Sequence, residues 1–184
     1  MIERSPKAKS SAGLPSLPGT YALVLRSAGP QQILVGKLET LAVQPGFYVY
    51  VGSALGPGGL ASRVGRHARA AKKCRWHIDY LVAIATLDEV WYTVDPARRE
   101  CQWADALRQI RGAAVPLEDF GSSDCRCRAH LLLFHKRPSL RAFRQRLARS
   151  NSGHAPIRTE RPGTAVRLGA DAVVQPSGPD ETRR

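Results

Sequence analysis

The stretch that most constrains the fold runs from Phe47 to His67 and reads FYVYVGSALGPGGLASRVGRH. Its first residues are aromatic and β-branched, the composition of a β-strand, and Gly52 ends the run. The Gly-Pro-Gly-Gly segment that follows cannot continue a regular element and predicts a loop. From Leu60 the apolar residues recur three or four positions apart, which predicts a helix. A tyrosine-bearing strand is thus followed by a basic helix, and a phenol beside a guanidinium suits phosphate chemistry.

The remaining pattern predicts a small α+β domain, with helices packed on a mostly antiparallel sheet. A Gly-Pro turn between the first two strands predicts that they form a hairpin. Residues 1–16 and 149–184 predict disordered basic tails on either side of a domain at 17–148. The predicted strands are Tyr21–Leu25, Gln31–Val35, Phe47–Val51, Leu87–Val94 and Leu131–Phe134, and the predicted helices are Gly59–Lys72, His77–Ala83, Ala97–Ile110 and Ser139–Ala148.

The charge balance predicts a polyanionic partner. The chain has 28 Lys and Arg against 15 Asp and Glu, a net charge of +13. Nucleic acid is the commonest partner of so basic a domain, although a protein with Arg-rich tails is the plainer alternative. Residues 63–75 contain six basic residues and no acid. The expected nucleic-acid contacts from this segment are Arg66, Arg69, Lys72, Lys73 and Arg75.

The termini and the apolar runs predict a cytoplasmic protein. Residues 1–18 lack the apolar core of a signal peptide, and no run approaches the roughly 20 apolar residues of a membrane span. We therefore expect no membrane association and reduced thiols at all four cysteines.

One cysteine cluster invites a zinc interpretation. Cys125, Cys127 and His130 form C-x-C-x-x-H, but a closed structural zinc site needs four ligands. No fourth ligand stands at a characteristic spacing, so free thiols without metal are the favoured interpretation. The candidates for a fourth ligand are Cys101, Cys74 and His135.

Several blocks in order carry a family resemblance. Gly19-Thr20-Tyr21 and Tyr50-Val51-Gly52, followed by Leu60-x-x-Arg63-Val64-x-x-His67, resemble the GIY-YIG nuclease superfamily. The closer resemblance is to a subgroup long called a domain of unknown function, DUF123, which is found alone or fused to endonuclease III-like glycosylases. It covers roughly residues 17–137, and it rests on YVYVGSALG, WHIDYL, Glu100-Cys101 and FGSSDCRCRAHL.

The resemblance implies a catalytic set. Tyr21 would activate water, Tyr50 would position the water and the phosphate, and Arg63 would bind the phosphate, with His67 assisting. Glu100 would hold Mg²⁺ or Mn²⁺. Each residue also has a plainer interpretation: strand aromatics for the tyrosines, surface residues for Arg63 and His67, and a favourable acid at a helix N-terminus for Glu100.

The chain departs from the GIY-YIG motif pattern at three places. Thr20 replaces the usual isoleucine, the segment from Gly36 to Gly46 inserts a long loop, and residues 56–59 lengthen the link to Arg63. Three further polar residues belong to the subgroup blocks. His77 and Asp79 are expected to shape the site, or Asp79 to cap the short helix, and Asp124 is expected to bind backbone amides in a turn.

The leading hypothesis is a metal-dependent endonuclease acting on nucleic acid, DNA more than RNA, with a role in DNA repair and a repair glycosylase as partner by analogy with the fused relatives. The alternatives are a non-catalytic nucleic-acid-binding module and a zinc-stabilised interaction protein. If the site is catalytic, Tyr21, Tyr50, Arg63 and Glu100 should converge on one solvent-open concavity.

Overall fold

The fold was analysed on a computed structural model, which describes residues 13–69, 74–150 and 153–162. These residues form an α+β domain, as the sequence predicts. Its elements in chain order are β1 (Gly19–Ser27), β2 (Gln31–Leu34), β3 (Thr40–Val43), β4 (Gly46–Ala54), α1 (Gly59–His67), α2 (His77–Val82), β5 (Thr86–Val94), α3 (Glu100–Arg108), β6 (Leu131–Phe134), α4 (Leu140–Arg149) and β7 (Arg158–Glu160).

A five-stranded antiparallel sheet forms the centre, in the order β6-β4-β1-β5-β7. β1 lies in the middle because both of its faces are apolar: Ala22 and Val24 point to one side, and Leu23 and Leu25 to the other, all fully buried. A strand that is apolar on both faces is stable only where other elements cover both faces.

Each face of the sheet carries its own apolar core. On the face of Leu23 and Leu25, α1 and α2 pack together with the β2–β3 hairpin, whereas α3 and α4 cover the opposite face. The second core is dominated by aromatic rings, with Trp91 stacked on Phe143 at 5.5 Å between centroids. No helix in the described part of the chain is long and apolar enough to cross a membrane.

The predicted hairpin between the first two strands is wrong. β1 pairs with β4 on one side and β5 on the other, so both of its edges are taken. β2 pairs instead with β3, which lies inside the segment expected to be a loop. This small hairpin packs on the first core through Val35, Leu41 and Val43.

Two ordered segments lie where the sequence predicts tails. Leu14 is buried, and the Pro15 and Leu17 carbonyls accept hydrogen bonds from the first turn of α1. Beyond residue 149, β7 pairs with β5. A three-residue strand with no apolar pattern gives no sequence signal. Residues 1–12 and 163–184, which carry most of the predicted tails, lie outside the described residues.

Candidate active site

A cavity of about 330 Å³ opens near the start of β1 and the end of β4. The strands bring their tyrosines to it on one face, because Tyr21 pairs in register with Gly52 and Leu23 with Tyr50. The cavity lining includes all five residues predicted to be catalytic or metal-binding, namely Tyr21, Tyr50, Arg63, His67 and Glu100.

Gly52 makes room for the ring of Tyr21. A Cβ at position 52 would lie 2.6 Å from the Tyr21 hydroxyl, closer than any real side chain approaches. The ring therefore crosses its partner strand at a residue that has no side chain. The motif glycine is explained here by packing against the motif tyrosine.

A hydrogen-bonded chain runs from Tyr21 into the core. The Tyr21 hydroxyl lies 2.8 Å from His67 Nε2, and His67 Nδ1 lies 3.3 Å from a carboxylate oxygen of Asp79. An ionised carboxylate can only accept, so a neutral His67 carries its proton on Nδ1, and its Nε2 accepts from the Tyr21 hydroxyl. His67 is 2% exposed and is not the surface histidine of the plainer interpretation.

Asp79 caps the N-terminus of α2 and binds the last turn of α1. Its carboxylate accepts hydrogen bonds from the backbone N–H groups of Arg75 and Trp76, which precede α2. The guanidinium of Arg66 also binds it, with both nitrogens at 3.1 Å. Both roles expected for Asp79, the cap and the support of the site, are therefore present.

Trp76 orients Arg63, the residue expected to bind the phosphate, and the sequence did not indicate this role. The guanidinium of Arg63 lies 4.6 Å from the centre of the Trp76 ring, and that of Arg66 lies 3.9 Å from it. A cation above an indole is attracted by the electrons of the ring face. Trp76 thus holds Arg63 at the cavity while Arg66 pairs with Asp79. Its place at the start of the WHIDYL block, just before the predicted short helix, was the available signal.

Both tyrosines are neutral phenols in this environment. Burial raises the pKa of Tyr21 well above its ordinary value, and burial raises the pKa of Tyr50 to about 12 despite the opposing effect of Arg63. The Tyr50 ring packs against Gly121, whose φ of +78° favours glycine. A Cβ there would lie 2.8 Å from the ring.

Glu100 reaches the cavity from the opposite face of the sheet. It is the first residue of α3, so its side chain projects past the end of β4, and it is 3% exposed. Its carboxylate accepts from the Ser53 hydroxyl and from the Arg98 guanidinium, and Arg98 also binds Asp124. The hydrogen bond from Arg98 is the main cause that lowers the pKa of Asp124, and a backbone hydrogen bond adds to it, as expected for this turn residue.

The comparisons with known proteins place the chain in a family. The family model described as a domain of unknown function, DUF123, matches residues 20–152. The chain belongs to the DUF123 family. No curated protein and no solved structure matches it. The DUF123 region contains every residue that lines the cavity.

The oxygen ligands of the DUF123 site fit a hard divalent cation. The carboxylates of Glu100 and Asp124 and the hydroxyl of Ser53 are oxygen donors, which Mg²⁺ and Mn²⁺ prefer. The two carboxylates share one cationic group, the guanidinium of Arg98, whose side chain is 53% exposed and therefore has room to move. The position between the carboxylates thus favours positive charge.

The basic residues predicted to contact nucleic acid differ in their surroundings. Arg66 is engaged with Asp79, whereas Arg69 and Arg75 are exposed and accessible to a nucleic-acid backbone. The other two predicted contacts, Lys72 and Lys73, lie outside the described residues.

His77 supports one wall of the cavity, because its Nδ1 accepts the backbone N–H of Gly121 at 3.1 Å.

The DUF123 domain also gathers a sulfur-rich cluster next to the cavity. The ligand atoms of Cys101, Cys125, Cys127 and His130 all lie within 4.8 Å of one another. Of the three candidates for a fourth ligand, Cys101 is the one in the cluster, because α3 brings it to the three residues of the loop. Cys74 is exposed and is not part of the cluster.

Proposed function

We propose that this protein is a metal-dependent endonuclease of the GIY-YIG type, which hydrolyses phosphodiester bonds in nucleic acid, DNA in preference to RNA. One observation carries the proposal. Residues from two strands and two helices, up to 79 positions apart in the chain (100 − 21), line a single open cavity. Their types and order match the GIY-YIG motifs.

The buried chain of Tyr21, His67 and Asp79 is suited to remove a proton from the attacking water. Tyr21 would take that proton as it gives its own to His67 Nε2, and Asp79 would stabilise the imidazolium that forms. A high pKa suits this role, because the phenol never has to exist as an isolated anion. The arrangement is the familiar one of a base oriented by a carboxylate.

Arg63 is placed to stabilise the phosphate as negative charge builds on it. A guanidinium binds two phosphate oxygens at once, and its fixed charge is most effective where water is excluded. Stacking on Trp76 limits the rotation of its side chain. Tyr50, with its hydroxyl proton retained, would donate a hydrogen bond to the water or to a phosphate oxygen.

Glu100 would hold the divalent cation, with Ser53 and Asp124 beside it. When bound, Mg²⁺ or Mn²⁺ supplies positive charge to the phosphate and to the leaving oxygen. The Arg98 guanidinium has to leave both carboxylates for this, and its side chain, which is 53% exposed, has room to turn into solvent.

The cellular setting belongs to the same proposal. The free thiols of the described residues fit the reducing conditions of the cytoplasm. The fusion of related domains to endonuclease III-like glycosylases favours DNA repair, with such a glycosylase as partner.

The ion pair between Arg98 and Glu100 favours a second candidate function. The Arg98 guanidinium binds the Glu100 carboxylate and neutralises its charge without any metal. In that case the domain would bind nucleic acid through Arg63 and the exposed basic residues but would not cleave it.

A nicking assay separates the two functions. Supercoiled, branched and base-damaged DNA are incubated with the wild-type protein and Mg²⁺ or Mn²⁺, and with Glu100→Gln, Arg63→Ala and Arg141→Ala. Arg141 is an exposed residue of α4, on the other face of the sheet, and serves as the matched control. We expect Arg63→Ala to lower turnover by about 10²–10³-fold with little change in binding, as for a group that acts mainly in the transition state.

The outcomes are distinct. Loss of cleavage in Glu100→Gln and Arg63→Ala, with Arg141→Ala unchanged, supports the endonuclease. Wild-type protein that binds these DNAs but cleaves none of them under either metal supports the binding module. Equal cleavage by wild type and Glu100→Gln would refute the role of Glu100.

A further inference from the structure

We propose that Cys101, Cys125, Cys127 and His130 bind one structural zinc ion. The proposal does not depend on nuclease activity, because it concerns a cluster of side chains that the proposed chemistry does not use. Sulfur and imidazole ligands select zinc over the magnesium and manganese proposed for Glu100.

The distances within the cluster match a tetrahedral site. With Zn–S bonds of about 2.3 Å and Zn–N bonds of about 2.0 Å, tetrahedral geometry places sulfur and nitrogen about 3.5 Å apart and two sulfurs about 3.8 Å apart. His130 Nε2 lies 3.5 Å from the Cys125 sulfur and 3.8 Å from the Cys101 sulfur. All four ligand atoms lie within 4.8 Å of one another. The cluster is therefore slightly wider than a loaded site and needs only small movements to close on an ion.

The four ligands leave no open coordination position, which marks the site as structural. Catalytic zinc sites use three protein ligands and keep a fourth position for water or substrate. Here three ligands come from one short loop and the fourth from the first turn of α3. The ion would cross-link two segments that are about 24 residues apart in the chain and share no strand pairing (125 − 101).

A loaded site would carry one negative charge. Three thiolates, a neutral histidine and Zn²⁺ carry a net charge of −1. A shallow cleft next to Cys101 and Cys127 is lined by Arg108, Arg126 and Arg128, of which Arg108 pairs with Asp105 and Arg128 with Glu118. The thiolate is the ligand, so zinc binding itself drives the release of the thiol protons.

The ion would also stabilise one wall of the cavity. His130 donates its backbone N–H to the Phe120 carbonyl, and its own carbonyl accepts from Val51 of β4. The loop that it closes contains Gly121, against which Tyr50 packs, and Asp124, which binds Arg98. Zinc would thus fix the loop on one side and the helix of Glu100 on the other.

Metal analysis of the purified full-length protein tests the proposal directly. The protein is expressed with added zinc, passed through a desalting column and analysed for zinc and iron. We expect about one zinc per chain, its loss in Cys101→Ser and Cys125→Ser, and its retention in Cys74→Ser. Cys74 is the matched control, since it is exposed and outside the cluster.

A second measurement uses the wild-type protein, in case the serine variants do not fold. A thiol-specific mercurial is titrated in while zinc release is followed with a chromogenic chelator, and cobalt is exchanged into the site. Release of zinc in step with three thiols and the visible bands of tetrahedral cobalt thiolate support the site. Protein without zinc, iron with visible absorption, a disulfide among the three cysteines, or zinc that is kept in Cys101→Ser would each overturn it.

Discussion

Removing the Asp79 carboxylate should be among the most destabilising single changes in the domain. The side chain is fully buried, and it accepts from the guanidinium of Arg66, from the ring of His67 and from two backbone N–H groups. In Asp79→Ala these donors remain in place without their acceptor. Arg66 keeps a side-chain exposure of only 22%, so water reaches it poorly.

The magnitude follows from burial. Breaking a buried ion pair by deleting one partner costs about 3–5 kcal/mol, because the remaining charge loses the carboxylate that compensates its burial. The control is Asp105→Ala, which removes the carboxylate of an exposed pair with Arg108 in α3. Both of those side chains are about half exposed, and such a pair contributes about 0.2–1 kcal/mol.

Urea unfolding followed by circular dichroism measures both variants against the wild type. We expect the Asp79→Ala midpoint to fall far more than that of Asp105→Ala at an unchanged slope, with a melting temperature lower by roughly 6–20 °C. The isosteric Asp79→Asn keeps the volume and one acceptor oxygen, and should lie between them. A loss in Asp79→Ala no larger than that in the control would refute the reasoning, since it would mean that water compensates the freed donors.

Two further perturbations test the packing and the pH dependence of the fold. Gly52→Ala should cost about 1–3 kcal/mol, because the new methyl group would overlap the Tyr21 hydroxyl, whereas Gly65→Ala, which has open space around it, should not destabilise; urea unfolding compares them. Burial raises the pKa of Glu89, but hydrogen bonds from an indole and a guanidinium outweigh it and leave the pKa lowered from 4.5. Its stabilising effect is therefore present above pH 4.5 and is lost as the pH falls through the lowered value, so unfolding of Glu89→Gln should depend less on pH on the acid side.

Local patterns predict the elements of this fold better than their pairing. The apolar run Leu131–Phe134 is a strand with the predicted bounds, and the alternation before Val94 correctly marks β5. The hairpin prediction fails because the Gly-Pro turn leads away from the sheet, and the choice of neighbours for β1 depends on strands up to 75 positions away (94 − 19). Turn residues set the direction of a chain, but burial on both faces decides which strand is central.

The candidate site shows the same contrast between residues that local patterns indicate and residues that only the fold brings together. The motif residues could be named from the sequence because they stand in short blocks that resemble known motifs. Trp76, Ser53 and Arg98 could not, since each acts through a partner that only the fold brings near. Cys101 could be named as a candidate partner of the C-x-C-x-x-H loop, but only the fold distinguishes it from Cys74 and His135.

The buried polar groups bear on the choice between an enzyme and a binding module. Asp79 and His67 are buried, and well-packed hydrophobic residues of similar volume at these positions would be at least as stable. Binding a nucleic-acid backbone needs exposed cations and makes no use of a hydrogen-bonded path from a cavity tyrosine to a buried carboxylate. A proton transfer at the cavity uses every member of that path. The arrangement therefore favours the proposed catalysis over binding alone, and Tyr21→Phe, which removes only the hydroxyl, should abolish cleavage while DNA binding and the melting temperature stay close to those of the wild type.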